Sequence, residues 1–179
     1  MKTTQILLAG FGGQGVLFTG KFLAYKGLVQ DKQVSWLPSY GPEMRGGTAN
    51  CNVIISDDPV GSPIITTPDV LVAMNLPSLQ KYVDTVAAGG QIYVDSSLID
   101  ARVERDDVQV FYVPATQMAK DEGIGSLANM IIVGSLLENN PELSFDGVED
   151  VVEKLVPAKK AALKELNMKA LRLGKDYKN

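Results

Sequence analysis

The sequence predicts an α/β domain of Rossmann-like, three-layer build, with a mostly parallel sheet, helices on both faces and an antiparallel edge as an option. Three observations predict it. Short apolar runs of strand length alternate with longer stretches that carry apolar residues at helical spacing, the pattern of a sheet covered by helices. The first apolar run, Ile6 to Ala9, ends in Gly10-Phe-Gly-Gly-Gln-Gly15 and passes into a helical pattern from Val16 to Val29, a strand, tight turn and helix in succession. The 179 residues fit one domain, spanning 1–179, and a chain of this size buries about 70% of its unfolded surface without disulfides or metals.

The remaining elements follow in order. Val34 to Leu37 is a second short strand and Cys51 to Ile55 a third, joined by the polar, glycine-rich stretch Pro38 to Asn50. Structureless connectors of that length are usually functional. Val70 to Met74 is the next strand, and Pro77 sits near the first turn of a helix that Gly89-Gly90 follows. Ile92 to Val94 and Val108 to Val113 are further strands. Leu127 to Leu137 is apolar nearly all round, so it is expected to be a buried helix, covered by its own domain or by a partner. Val148 to Leu155 and Ala158 to Leu173 are amphipathic helices that Pro157 separates.

Composition excludes several functions. There is no histidine, which removes the commonest general base and metal ligand together. The single cysteine, Cys51, cannot form an internal disulfide or supply the thiolates of an iron–sulfur cluster, so no metal site and a reducing, cytoplasmic setting are expected. A formal net charge of -4 argues against nucleic-acid binding, which depends on clustered Lys and Arg. The opening apolar run is too short for a signal peptide, and no stretch reaches the about 18 apolar residues of a membrane span.

Gly10, Gly12 and Gly15 fit the G-x-G-x-x-G spacing, and Gly13 adds another position without a Cβ. A tight turn into a helix aims unpaired N–H groups and the positive helix end at an anion, and glycine lets the ligand approach the backbone. The same glycines would also serve a turn that only packs strand on helix. The nicotinamide version of the motif needs an acidic residue at the end of the second strand to hold the ribose hydroxyls. Val34-Ser-Trp-Leu-Pro-Ser39 has none, and Asp31 precedes that strand as a turn residue.

The second loop, Ser39-Tyr-Gly-Pro-Glu-Met-Arg-Gly-Gly-Thr48, is more specific. Arg45 beside Gly46 and Gly47 has the fork geometry to clamp a phosphate or carboxylate, with backbone amides assisting. Equally, Glu43 and Arg45 suit charge pairing across a subunit interface. Both readings stand at this point.

Taken together, Gly10-Phe-Gly-Gly-Gln-Gly-Val16 and Ser39 to Thr48 resemble the gamma-type subunit of the 2-oxoacid:ferredoxin (acceptor) oxidoreductases. The resemblance covers most of the chain, through Val53-Ile-Ile-Ser56, Ser62-Pro63, Pro68-Asp69, the Gly89-Gly90 turn, and Asn129-Met130 with Gly134. It departs at Gly123-Ile-Gly-Ser-Leu127, where a Gly-Asn-Pro-like turn is the family's habit. The wording Tyr40-Gly-Pro-Glu-Met-Arg-Gly-Gly47 is similar to members acting on 2-oxoglutarate or branched-chain 2-oxoacids.

The resemblance implies a multi-subunit enzyme that converts a 2-oxoacid and coenzyme A to acyl-CoA, CO2 and reduced ferredoxin. Thiamine diphosphate, Mg2+ and iron–sulfur clusters would lie in sister subunits, none on this chain alone. This subunit would supply no catalytic group. It would shape the site beside the thiamine-binding subunit and help to receive coenzyme A at the interface. The binding residues so expected are Gly10, Gly12, Gly13, Gln14 and Gly15 from the first loop, and Ser39, Tyr40, Gly41, Arg45, Gly46, Gly47 and Thr48 from the second.

Two readings of other classes remain, a free-standing nucleotide-binding oxidoreductase and a purely structural assembly subunit. The basic residues Lys159, Lys160, Lys164, Lys169, Arg172, Lys175 and Lys178 suit either an acidic partner such as ferredoxin or a solvated helix face. Met118, Met130 and Met168 are expected as core fillers, Trp36 as core or interface, and Cys51 as a buried, inert thiol.

Overall fold

A computed structural model describes residues 2–40 and 48–178. Its chain order is β1 (Thr3–Phe11), α1 (Val16–Val29), β2 (Gln33–Tyr40), β3 (Thr48–Ser56), β4 (Val70–Ala73), α2 (Leu76–Tyr82), β5 (Gln91–Asp95), β6 (Gln109–Val113), α3 (Ala115–Asp121), α4 (Ala128–Asn139), α5 (Val148–Leu155) and α6 (Ala161–Asp176). The strands form one six-stranded sheet in the order β2-β3-β1-β4-β5-β6. From β1 to β6 the neighbours run parallel, whereas β3 pairs antiparallel with both β1 and β2. The sheet is therefore mixed, with the antiparallel edge that the sequence left as an option.

Two-residue periodicity sorts the sheet into two apolar layers. Ile6, Leu8, Val70, Val72 and Tyr93 face the larger core with Phe22 and Leu23 of α1 and Ile131 and Ile132 of α4. Leu71, Ala73, Ile92 and Val94 face the smaller core, with Leu79 of α2 and with Val86 and Ile99. Helices thus cover both faces, as the alternation of strand and helix patterns demanded.

The stretch Pro38 to Asn50 differs from the expected long loop. Its ends are strand, with Pro38 opposite Cys51, Ser39 opposite Asn50 and Tyr40 opposite Ala49. Proline is tolerated there because β2 is the edge strand, where one flank needs no donor. Helix α3 had no clear sequence signal, being one seven-residue element after Pro114. The last predicted helix divides into a 3-10 turn at Ala158–Lys160 and α6.

Every residue from Ala128 to Leu137 is buried, and the cover is internal. Helices α4 and α6 cross so closely that a Cβ at Gly134 would fall on the carbonyl of Leu171, and one at Gly174 on the carbonyl of Ile131. Two backbones in contact gain dense packing at the cost of admitting no side chain at either position. Met130 lies in this core, with Met118 and Met168 packed against it. Cys51 is fully buried, and burial pushes its thiol up to about 12, so it is inert at neutral pH.

One core position carries an amine with no hydrogen-bond partner among the described residues, the Nζ of Lys26 in α1, which is wholly buried. Desolvation lowers its pKa from the ordinary 10.5, opposed only by the charge of Asp146.

Gly134→Ala is expected to destabilise the chain by about 3 kcal/mol, or roughly 6–12 °C in Tm, because the helices must separate. Thermal unfolding followed by circular dichroism measures it, and an unchanged Tm contradicts the packing. Lys26→Met is expected to stabilise by roughly 1 kcal/mol or more, since an apolar group replaces a buried charge. The pH sign follows from the lowered folded pKa. Below that value both states are protonated and the burial cost is full; above it the folded chain sheds the proton first, so the wild type gains stability until the unfolded lysine titrates near 10.5. The advantage of Lys26→Met in urea unfolding should therefore shrink between neutral pH and about pH 10.

Candidate functional site

The expected site residues of the first loop lie at the carboxyl end of β1, where the strand order switches. Chain leaving β1 goes to β2 and β3 on one flank, and the chain returns to β4 on the other. Open α/β sheets place their ligand crevices at such points. Gly15 is the residue before α1, at φ 77 and ψ 17, and Gly13 has φ 94; both conformations are left-handed, where a side chain strains the backbone.

Gln14 closes the turn. Its Oε1 accepts from Phe11 N at 2.7 Å, its Nε2 donates to Met74 O at 2.9 Å, and its own N–H donates to Phe11 O at 3.2 Å. One side chain thus ties the glycine turn to the end of β4. Gly10 gives it room, since a Cβ there would stand 2.7 Å from Gln14 Oε1 and 2.8 Å from Met74 Cβ. The spaced glycines therefore have separate duties: Gly10 admits Gln14, while Gly13 and Gly15 make the turn.

Among the described residues no side chain caps the start of α1, and its first turn has no acidic residue. Its leading amides and the positive end of its dipole are left unneutralised, as an anion site requires. A cavity of about 300 Å3 opens beside them, lined by Phe11, Gly12, Gly13, Leu17, Phe18 and Ala49 among others. Among the described residues, none that lines it is charged.

The second loop reaches the same place through strand register. Thr48 pairs with Phe11, the residue that begins the glycine turn, and Ala49 pairs with both Gly10 and Tyr40. Ser39, Tyr40 and Thr48 thus stand within two strand spacings of the glycine loop. Gly41, Arg45, Gly46 and Gly47 lie outside the described residues, as do Glu43 and the rest of 41–47.

Behind the loop lies a contact that the sequence did not assign to the site. Asn129, near the start of α4, donates through Nδ2 to Thr19 Oγ1 at 3.0 Å and to Gly15 O at 3.4 Å. Thr19 Oγ1 in turn donates to Gly15 O at 2.9 Å. A Cβ on Gly15 would stand 2.5 Å from Asn129 Nδ2, so the glycine is needed for packing as well as for backbone angle. The available signal was a lone amide in an otherwise apolar helix, a residue type that is buried only when something depends on it.

A nicotinamide site does not fit. In dinucleotide folds the strand after the first helix lies directly beside β1, and its terminal acid reaches the ribose. Here β3 occupies that place and β2 is one strand further out. Asp31 has φ 56 and donates its N–H to Leu28 O at 3.0 Å, a turn residue at the opposite end of β2.

Other expected features are placed as follows. Trp36 is 40% exposed on the edge strand. In the basic C-terminal region, Lys164 pairs with Glu153, Lys169 with Glu122 at 2.6 Å and Lys178 with Glu138 at 4.0 Å, while Lys175 stacks 4.6 Å over the Phe145 ring. Much of that charge is thus engaged within the chain. Among the described residues no cluster of His, Cys, Asp or Glu is arranged to hold a metal ion, and no helix is long and apolar enough to cross a membrane.

Comparison with known proteins agrees with this geometry. The family model for pyruvate ferredoxin/flavodoxin oxidoreductase matches residues 5–177. The ketoisovalerate oxidoreductase subunit VorA of Methanothermobacter marburgensis is 37% identical over 177 residues, covering 98% of this chain and 37% of that protein. The chain thus spans little more than a third of the length of VorA. The 2-oxoglutarate synthase subunit KorC of the same organism is 35% identical over 179 residues, covering 96% of this chain and 95% of KorC. Among solved structures, the gamma subunit of a keto/oxoacid ferredoxin oxidoreductase from Geobacter sulfurreducens superposes with a TM-score of 0.84 at 32% identity, over 97% of this chain and 95% of the other. With a family model spanning nearly its whole length and relatives more than 30% identical over almost all of it, the chain belongs to the pyruvate ferredoxin/flavodoxin oxidoreductase family.

Proposed function

We propose that this chain is the gamma-type subunit of a thiamine-diphosphate-dependent 2-oxoacid:ferredoxin oxidoreductase. The complex converts a 2-oxoacid and coenzyme A to acyl-CoA and CO2, and passes the electrons to ferredoxin or a similar acceptor. The observation that carries the reading is the register that sets Thr48 opposite Phe11. It puts the roots of the Arg45 loop beside an uncapped helix end. The similarity to both VorA and KorC favours a branched-chain 2-oxoacid or 2-oxoglutarate as substrate.

Thiamine diphosphate, Mg2+ and the iron–sulfur clusters belong to sister subunits in this proposal and supply decarboxylation and electron transfer there. The residues of this chain bind and orient. Gly12, Gly13 and the first turn of α1 offer backbone N–H groups to a phosphate of coenzyme A, with Gln14 fixing the turn. Ser39, Tyr40, Gly41, Gly46, Gly47 and Thr48 complete the set of binding residues in this proposal. Arg45 adds the bidentate charge that backbone amides cannot supply. No proton transfer is required of this subunit.

Two measurements test the reading. In the reconstituted complex, Arg45→Ala should lower coenzyme A-dependent turnover or assembly at least about tenfold, the loss of one charge-assisted pair. The Tm of the isolated chain should stay within a degree or so, since a loop arginine adds little to the core. Normal turnover and assembly refute the role. The purified chain should also show no thermal shift with NAD or NADP, whereas saturating nucleotide would raise Tm if the chain were a free-standing nicotinamide enzyme.

A further inference from the structure

The carbonyl of Gly15 receives more donors than the first acceptor of a helix needs. Thr19 N donates to it at 2.9 Å, which closes the first turn of α1, and the Thr19 hydroxyl adds a second bond at 2.9 Å. Asn129 Nδ2 adds a third at 3.4 Å and also donates to Thr19 Oγ1 at 3.0 Å. The shorter contact is the stronger, so Asn129 acts on Gly15 chiefly through the hydroxyl. Donation into Oγ1 polarises the O–H and strengthens the bond that it donates in turn. Thr19 and Asn129 are 4% and 5% exposed, which keeps water from competing for either group.

Stability does not account for this amide. Its Oδ1 is buried without a hydrogen-bond partner among the described residues, an arrangement that costs stability. Turned over, the amide would leave Nδ2 unmet instead and set Oδ1 against the oxygen of Gly15. An aliphatic side chain of similar size would fill the position without that cost. A buried polar group kept against stability marks a functional position.

The gain lies at the far end of the peptide that joins Gly15 to Val16. That peptide is trans, so its C=O and N–H point in opposite directions. The carbonyl runs into α1, whereas the Val16 N–H is the first of the leading amides, which have no acceptor within the helix. Val16 lines the cavity of about 300 Å3 beside the glycine turn. Donors on the carbonyl oxygen draw electron density through the conjugated unit and leave the N–H a stronger donor. They also hold the plane of a peptide whose glycine has no side chain to restrain it, and so fix the direction of that N–H.

We propose that Asn129 is a positioning residue for the anion site: through Thr19 and the Gly15 carbonyl it aims and strengthens the Val16 N–H that meets the phosphate. The proposal rests on the glycine-loop reading above and adds to it a residue of α4, 110 positions from Thr19 in sequence.

The test is a titration of the isotope-labelled full chain with inorganic pyrophosphate, read at the Gly13 and Val16 backbone amide resonances. Pyrophosphate supplies the charge of a diphosphate without the organic part of a coenzyme. In the wild type both resonances should shift saturably at millimolar pyrophosphate. Asn129→Leu should weaken binding about three- to tenfold, reduce the limiting shift of the Val16 amide, and keep or raise Tm. Thr19→Val removes the hydroxyl but keeps the shape, and should weaken binding to a similar degree. Thr19→Ser restores the hydroxyl and should bind as the wild type does. Unchanged affinity in a folded Asn129→Leu chain, or equal weakening in Thr19→Val and Thr19→Ser, overturns the role of Asn129 and leaves the glycine-loop reading in place. No response of Gly13 and Val16 in the wild type overturns the glycine-loop reading and this role with it. Should Asn129→Leu not fold, the two Thr19 variants decide alone.

Discussion

The nine-residue antiparallel ladder between β1 and β3 fixes everything that follows it. A one-residue slip in that ladder would turn the buried set Cys51, Val53 and Ile55 away from the core they share with Ile6 and Leu8, so the hydrophobic pattern enforces the register. That register, in turn, decides that Thr48 meets Phe11 and that the two glycine-rich segments rise from the same end of the sheet. Parallel pairing of β1 with β4 then brings Met74 within reach of Gln14, and the turn is locked from both flanks.

Much of the fold was legible because the strands obey a two-residue period and the helices are long. Leu127 to Leu137 could be seen as buried, but not what buried it. The answer depends on Gly134 and Gly174, forty positions apart, whose meaning appears only when two helices touch. The Pro38 to Asn50 stretch was harder still. Its polar residues and proline suggested loop, yet pairing with β3 extends the strand through Tyr40, and an edge position removes the objection to proline. Helix α3 is short and depends on tertiary anchoring: Thr116 donates through Oγ1 to the buried Asp95 at 2.6 Å.

The site was legible to a different degree in each part. The spacing of Gly10, Gly12 and Gly15 located the turn, but the sequence could not show that Gly10 makes room for a side chain while Gly15 makes room for a second helix. Asn129 belongs to the Asn129-Met130 pair of the resemblance, but neither it nor Asn167 shows in the sequence what it touches. Asn129 finds its partners, Gly15 and Thr19, more than a hundred residues away, while Asn167 donates to Leu163 one turn back in its own helix, and such residues gain meaning from geometry alone.

Charge explains why a chain of this design would work within an assembly. Among the described residues no charged group lines the cavity beside Gly13 and Gly15, and a helix end contributes about half an elementary charge. A diphosphate carries several negative charges, so backbone amides and α1 neutralise only a fraction of it. In the proposed site Arg45 would bring one full charge more. If the anion site is as proposed, the remaining positive potential would come from across the interface: its shape would be set here by the β1 and β3 register, and its affinity completed by a neighbour. A subunit so built would hold a coenzyme weakly alone and firmly in the complex, coupling cofactor binding to assembly through electrostatics rather than through any catalytic group of its own.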